Sequence, residues 1–157
     1  MPLQVPPRMR ARLDEYETYH TQRANELCHW LGIPLIIAGA ASLLGAIPIL
    51  PEWSITATEV VLAGITLFYV TEARVLGVVT ALGMILIAAV GRFVPVIGGL
   101  GLFLIGWGLQ LVGHSVFEKR SPAFLGNLVH LLIGPAWLVE RGVRYSTRWE
   151  MRSRPPT

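Results

Sequence analysis

Residues 31–50 read LGIPLIIAGAASLLGAIPIL, twenty consecutive residues without a charged side chain. A membrane-spanning helix needs about 20 apolar residues, because each residue advances the helix by ~1.5 Å and the hydrocarbon core is ~30 Å thick. Pro48 and Pro51 end the apolar run. This stretch therefore predicts a helix that crosses a bilayer, and it places the chain among polytopic all-α membrane proteins.

Three further apolar segments follow along the chain, at 53–71, 75–91 and 93–117. Each is predicted to span the membrane. The last is rich in small residues that favour close approach between membrane helices. These residues are Gly98, Gly99, Gly101, Gly106, Gly108 and Gly113.

The segment 122–139 is also apolar, but it contains Asn127, His130 and Pro135. Arginines cluster near both ends of the chain, whereas the connection at Pro51 and Glu52 has no positive charge. Because Lys and Arg stay on the cytoplasmic side, both termini are expected there, which requires an even number of crossings. We therefore predict a bundle of four spans with 122–139 as a re-entrant or interfacial helix; five spans are the alternative.

The regions outside the spans are charged. Residues 8–30 are predicted to form an interfacial helix, and because no cleavable signal peptide is visible there, the first span is expected to stay as an anchor. The basic tail, 140–157, completes a single membrane domain over 1–157. Its arginines at helical spacing either contact anionic head groups or solubilise the tail, and they are expected to be dispensable for activity. They are Arg141, Arg144, Arg148 and Arg152.

The composition excludes several classes of protein. Hydrophobic residues make up 53% and charged residues 15% of the chain, which rules out a water-soluble globular domain and a disordered chain. The net charge of +3 comes from arginines near the chain ends, so no nucleic-acid partner is expected.

Cys28 is the single cysteine of the chain, so neither an intramolecular disulfide nor a cysteine metal cluster can form. Twelve arginines against one lysine indicate GC-rich coding and favour a bacterial inner membrane.

Candidate chemistry lies first around His114. Gln110, His114 and Glu118 are four residues apart, so on a helix they share one face within apolar surroundings. Such a polar stripe indicates a site or a helix–helix contact. His114 and Glu118 could supply two ligands of an iron site, or Glu118 could simply begin the charged cluster at 118–120.

His20 and His29 are nine residues apart, which on a straight helix places them on opposite faces. They can bind one ion only if the chain turns between Thr21 and Asn25. Asn25 shares a helix face with His29. His29 precedes the first span and His114 ends the fourth, so the two histidines are predicted to lie at the same membrane depth.

The motifs that are missing narrow the chemistry further. Four histidines, His20, His29, His114 and His130, are too few for the histidine boxes of diiron membrane desaturases, and no HExxH motif occurs. A mononuclear metal site is the largest that fits. Two alternatives remain open: an electron carrier whose haem is ligated by histidines on facing helices, and a structural or transport protein whose histidines are merely packed.

Two blocks of sequence resemble a known family. The first block is YETYH at 16–20, Asn25, and HWLGIPL at 29–35. The second has Gly106-Trp107, Gln110, GHSVFEKR at 113–120, Pro122-Ala123, NLV at 127–129, and Pro135. Over 13–140 the chain resembles the 2-hydroxy fatty acid dioxygenases of phytosphingosine breakdown.

The resemblance implies an iron(II)-dependent membrane enzyme that uses O2 to shorten a 2-hydroxy fatty acid by one carbon. It implies His20, His29 and His114 as the iron ligands. Gln110, Asn25 and Glu118 are then the expected catalytic neighbours, which orient ligands or substrate. His130 stands where a Gln-like residue is expected in the family, so no metal role is assigned to it.

Overall fold

The computed structural model describes residues 5–122, 124 and 126–153, with side chains up to residue 146. The chain is mostly helical, as expected. The elements are α1 (Pro7–Glu17), α2 (Arg23–Gly45), β1 (Pro48–Leu50), β2 (Ile55–Thr56), α3 (Ala57–Gly91), α4 (Val96–Val112) with a π-helical turn (Gly113–Glu118), and α5 (His130–Ser153). Within the described residues, three helices are long and apolar enough to cross a membrane: Arg23–Gly45, Ala57–Gly91 and Val96–Glu118.

Helix α3 is broken near its middle. Arg74 has φ 49° and ψ −123°, outside the helical region. In a straight helix, Glu59 and Arg92 would be about 50 Å apart at ~1.5 Å per residue. Instead, Arg92 Nη1 donates to Glu59 Oε1 at 2.7 Å. The segments 57–73 and 75–91 therefore run antiparallel, and the break lies between the predicted spans 53–71 and 75–91.

Helices α2 and α4 approach each other closely along small residues. A Cβ atom on Gly39 would lie 2.6 Å from the Gly99 carbonyl oxygen, and one on Gly106 would lie 2.8 Å from the Gly32 carbonyl oxygen. Part of the predicted glycine seam therefore makes backbone contact. Gly101 and Gly108 have nothing within 4 Å of a Cβ position and do not contribute to it.

The predicted interfacial helix over 8–30 is two helices. Helix α1 ends at Glu17 and α2 begins at Arg23. The Glu118 carboxylate accepts hydrogen bonds from Thr21 Oγ1 and from the Gln22 amide, both at 2.8 Å. Residues 21 and 22 thus bond to a residue far along the chain instead of continuing α1. The negative charge of Glu118 at the N-terminus of α2 also interacts favourably with the helix dipole.

The boundary expected between 122–139 and the tail at 140 is absent. Helix α5 begins at His130, inside the predicted segment, and continues through residue 140 to Ser153. Asn127 Oδ1 accepts from the Val129 amide at 3.0 Å just before the helix starts. Within the described residues, α5 is not among the candidate membrane spans.

The start predicted for the second span also differs. Residues 48–56 form a short antiparallel hairpin, in which Pro48 pairs with Thr56 and Leu50 with Ile55. Helix α3 therefore begins at Ala57 rather than at 53. Thr56 and Glu59 form a capping box there, with the Thr56 amide donating to Glu59 Oε2 at 2.7 Å, which satisfies donors of the first helical turn.

Ion pairs distinguish the two ends of the bundle. One end is called the histidine end. It is formed by α1, residues 18–22, the break at Arg74, the π-helical turn and α5. There, Arg12 Nη1 contacts Glu72 Oε2 at 2.9 Å. The opposite end, called the hairpin end, contains β1, β2 and residues 92–94. Its ion pair joins Arg92 to Glu59.

The tail arginines described by the structure bind other parts of the chain, not only lipid or water. Arg141 contacts the carboxylates of Glu17 and Glu26, with Arg141 Nε 3.2 Å from Glu26 Oε1. Arg144 Nη1 lies 3.6 Å from Glu17 Oε2 on α1, and its Nη2 contacts Glu140 Oε1 within α5 at 2.9 Å. These two side chains therefore join α5 to α1 and α2, in addition to the contacts with lipid or water predicted for the tail. The side chains of Arg148 and Arg152 lie outside the described residues.

Candidate metal centre

Three histidines meet at the histidine end of the bundle. His20 lies in the connection between α1 and α2, His29 in the second turn of α2, and His114 in the π-helical turn. Each is at most 3% exposed. One ring nitrogen from each histidine lies within 4.8 Å of the other two. The chain turns at residues 18–22, slightly earlier than the predicted turn between Thr21 and Asn25, and His20, His29 and His114 come together.

The hydrogen bonds of His20 and His29 fix which nitrogen carries the proton. His20 Nδ1 lies 2.7 Å from the Tyr16 carbonyl oxygen, and His29 Nδ1 lies 3.0 Å from that of Asn25. A carbonyl oxygen only accepts, so each Nδ1 must be the donor. The two Nε2 atoms then present lone pairs to each other across 2.9 Å.

Two lone pairs at that separation repel each other unless a cation lies between or beside them. Metal-binding histidines commonly donate their second ring N–H to a backbone carbonyl, which fixes the ring and leaves the other nitrogen free to coordinate. His20 and His29 have this arrangement. The orientation of these two rings therefore fits the binding of a metal ion.

His114 reaches the pair from the far end of α4. Its ring centroid is 4.9 Å from that of His20 and 5.1 Å from that of His29. Its Nδ1 atom is buried without a hydrogen-bond partner. The residue lies in a π-helical turn, an irregularity that is frequent at functional sites. With His114, the cluster offers three histidines that could hold a metal ion.

Burial keeps His20 neutral. Removal from water lowers the pKa of His20 to about 4, and the hydrogen bond with the Tyr16 carbonyl only partly opposes this shift. Tyr16 also stacks on the His20 ring, with centroids 4.1 Å apart. A neutral imidazole is the form that binds a metal ion, so the environment favours coordination.

A long cavity of about 250 Å³ begins at the histidines. Its wall includes His20, His29 and His114 at one end, then follows one face of α2 as far as Leu44. The residues lining it along α2 recur at helical spacing and are Ile33, Ile36, Ile37, Ala40, Ala41 and Leu44. The cavity is therefore polar at the histidine end and apolar along the rest of its length.

The predicted catalytic neighbours occupy different places. Gln110 lines the cavity, and its Nε2 atom is buried without a partner. Asn25 Nδ2 donates to Glu118 Oε1 at 3.2 Å, while Asn25 Oδ1 is unpartnered. The Glu118 oxygens accept from Thr21, Gln22 and Asn25. The structure thus places Gln110 beside the cavity and Glu118 against the turn that carries His20.

Sequence reasoning left three residues of the site without a role. His130 lines the cavity, with Nε2 3.6 Å from Glu15 Oε1 and Nδ1 unpartnered. Tyr16 lines it as well, and Trp137 lies 5.1 Å from the His20 ring. For Tyr16, the sequence did contain a signal. Met9, Leu13 and Tyr16 form an apolar stripe that packs α1 against the bundle.

Comparison with known proteins identifies the family of this chain. The profile of the family described as "Mpo1-like: 2-hydroxy-palmitic acid dioxygenase Mpo1-like" matches residues 8–144. The chain is 36% identical over 129 residues to "2-hydroxy-palmitic acid dioxygenase MPO1" of Saccharomyces cerevisiae, covering 80% of this chain and 73% of the yeast protein. No solved structure matches the chain. The matched region contains all three clustered histidines, and the chain belongs to the Mpo1-like family.

Proposed function

We propose that this protein is an iron(II)-dependent membrane dioxygenase that shortens 2-hydroxy fatty acids by one carbon. The observation that carries the proposal is the cluster of His20, His29 and His114 at the polar end of an apolar cavity. The yeast relative is named for a 2-hydroxy fatty acid substrate, which has a polar head and a long apolar chain. A cavity with the same division between polar and apolar walls suits such a molecule.

The overall reaction balances with O2 as the only oxidant. A 2-hydroxy acid and one O2 give the fatty acid one carbon shorter, CO2 and water. The bond that breaks joins the carboxyl carbon to the hydroxyl-bearing carbon, which becomes the new carboxyl carbon. When bound, iron(II) supplies the redox chemistry of O2, and three protein ligands leave open positions for substrate and O2.

The three histidines would hold the ion. His20 and His29 are oriented by backbone carbonyls, so their Nε2 atoms meet without side-chain rearrangement. His114 has no hydrogen bond that must be broken before Nδ1 can coordinate. Three imidazoles this close leave no room for a flat porphyrin between two of them, which favours a single ion over haem.

Gln110 and His130 are the candidates for contacting the substrate head. Both line the cavity, and each has a buried nitrogen without a partner, Nε2 in Gln110 and Nδ1 in His130. Either could hydrogen-bond to a carboxylate or hydroxyl oxygen. We assign Asn25 and Glu118 to positioning, since their hydrogen bonds hold the connection that carries His20.

The apolar wall would exclude water from the reacting end. Trp107 and Phe124 line the cavity and pack edge to face, with ring centroids 5.1 Å apart. Ile33 and Ile37 continue the apolar lining along α2. A dry wall strengthens the polar contacts made by the head of the substrate and limits side reactions of O2 chemistry.

We also propose four membrane crossings with both termini in the cytoplasm of a bacterial cell. The antiparallel halves of α3, at 57–73 and 75–91, support two crossings there, and α2 and α4 supply the others. Arg12 and Glu72 then lie on the same side as the histidines. Cysteines introduced at positions 10 and 150 should be labelled from the same side of the inner membrane; labelling from opposite sides would overturn this topology.

The experiment that tests the activity uses detergent-purified protein. Elemental analysis should find about one iron per chain, and the protein should convert a long-chain 2-hydroxy fatty acid and O2 into the acid one carbon shorter, detected by mass spectrometry. The matching fatty acid without the hydroxyl group is the control and should remain unchanged. Iron-loaded, folded protein that leaves every 2-hydroxy acid intact would contradict the proposal.

A further inference from the structure

The cavity extends far beyond the histidines. Its α2 wall runs from His29 to Leu44, fifteen residues that span about 22 Å at ~1.5 Å per residue. One leaflet of a bilayer is about 15 Å deep, half of the ~30 Å hydrocarbon core, and a lipid acyl chain fills it. The cavity is therefore long enough for the whole alkyl chain of a long-chain fatty acid.

The far end of the cavity lies where α2 meets the first half of α3. Thr58 Oγ1 donates to the Ala41 carbonyl oxygen at 2.9 Å, which joins the two helices there. Leu44, Thr58 and Val61 line this end. The Thr58 hydroxyl is satisfied by its bond to Ala41, so the surface offered to a ligand at this end is mostly apolar.

We propose that this far end receives the methyl terminus of the substrate, and that Ala40 and Leu44 set the longest chain the protein accepts. The inference rests on the proposed function for the head of the substrate and adds the site of its tail. The occupant is the saturated alkyl chain of a 2-hydroxy fatty acid, because only its head group matches the polar residues at the histidine end.

The position of Ala40 makes it the sharpest point to test. It lies eleven residues after His29, about 16 Å along α2, and its small side chain lines the cavity. A larger side chain there would divide the cavity and exclude the outer part of a long chain. Each methylene kept out costs roughly fourfold in apparent affinity, from ~0.8 kcal/mol per buried methylene.

The experiment compares kcat/KM across a series of saturated 2-hydroxy acids from medium to long chain. Ala40→Phe should lower kcat/KM for the longest acids by about tenfold or more relative to the medium-chain acids. Leu44→Ala, which enlarges the far end, should shift the preference towards longer chains by a few fold. Ala63→Phe makes the same change in size at an exposed position of α3 outside the cavity and should leave the profile unchanged.

A second measurement separates this inference from the proposed activity. Displacement of a fluorescent fatty acid from the metal-free protein reports the affinity for each chain length without turnover. The same shifts should appear for Ala40→Phe and Leu44→Ala. If they appear while no 2-hydroxy acid is consumed, the tail site stands and the proposed activity fails. If activity is present but both variants keep the wild-type profile, or lose all chain lengths equally, the tail site is overturned.

Discussion

The two ends of the bundle handle buried polar groups differently. At the hairpin end the buried hydroxyls have partners: Ser42 Oγ donates to the Val94 carbonyl at 2.7 Å and Thr58 Oγ1 to that of Ala41. Every buried side-chain nitrogen or oxygen that lacks a hydrogen-bond partner, among the residues the structure describes, lies at or beside the histidine end. These atoms are Arg10 Nη1, Asn25 Oδ1, Gln110 Nε2, His114 Nδ1, His130 Nδ1 and Trp137 Nε1.

An unsatisfied buried polar atom costs roughly 1–3 kcal/mol, so native proteins keep few of them. Their concentration at one end favours this end as the place where a ligand binds. The hairpin end closes the bundle with satisfied hydrogen bonds. The histidine end retains free donors and acceptors that a metal ion and a polar head group could satisfy.

The largest effect is expected from the clustered histidines. Replacing His20, His29 or His114 with Ala should abolish turnover of a 2-hydroxy fatty acid and reduce bound iron from about one per chain to near zero. Each variant removes one of three ligands while the apolar helices still insert. Activity assays and elemental analysis of the purified variants measure both effects.

His130→Gln is the matched control for the histidine variants. It changes a cavity histidine outside the cluster, and a Gln side chain can still hydrogen-bond. Iron content should be retained and activity only mildly reduced. A severe loss in His130→Gln beside a harmless His20→Ala would move the metal centre towards α5.

A smaller effect is expected from the ion pairs that hold the histidine end together. Arg141→Gln leaves Glu26, which is 5% exposed, without its cation, and also removes the contact with Glu17. We expect a loss of roughly 3 kcal/mol in the free energy of unfolding, near the lower end for breaking a buried pair because Arg141 is partly exposed. Thermal or denaturant unfolding in detergent measures it, and an unchanged midpoint would show that the ion pairs of Arg141 do not stabilise the fold.

Acid should weaken the histidine end through His20. The pKa of His20 in the folded protein is about 4, below the ordinary value of 6.5, because burial disfavours the charged ring. As the pH falls from about 6.5 towards 4, the unfolded chain binds a proton that the folded chain does not, so stability declines over this window. Metal-free protein should show this slope, and the His20→Ala variant should show a shallower one; equal slopes would rule out His20 as its source.

The smallest effect is expected at the hairpin end. Arg92→Gln removes the ion pair with Glu59, whose side chain is 43% exposed. Exposed ion pairs contribute about 0–1 kcal/mol, so the unfolding midpoint should change little and iron content not at all. A destabilisation as large as that of Arg141→Gln would erase the difference proposed between the two ends.

Hydropathy was sufficient to predict the membrane bundle. The apolar runs after residue 30 correspond to α2, α3 and α4, and the gap between 71 and 75 contains the break at Arg74. The beginning of α5 was not predictable, because the segment 122–139 is apolar on both sides of His130. The contacts that hold α5 in place include the one between Arg141 and Glu26, 115 residues apart in sequence.

The candidate site was predictable in composition and less so in geometry. The positions of His29 and His114 near the same membrane depth followed from the spans. Whether His20 could join them depended on the turn held by Glu118, a contact across 96 residues that no local pattern reveals. Helical spacing grouped Glu118 with His114, but the structure directs its carboxylate to Thr21, Gln22 and Asn25.

The π-helical turn at Gly113–Glu118 has a consequence for how this site tolerates change in length. A π-helical turn holds one more residue than an α-helical turn, so deleting a single residue there would restore regular α-helix. A π-helical turn takes up its extra residue by widening, so the helix beyond the deletion would keep nearly its orientation. The side chains inside the turn, His114 among them, would instead shift relative to His20 and His29. The site is therefore more sensitive to the number of residues between Gln110 and Glu118 than to the identity of the exposed ones, such as Ser115 and Val116.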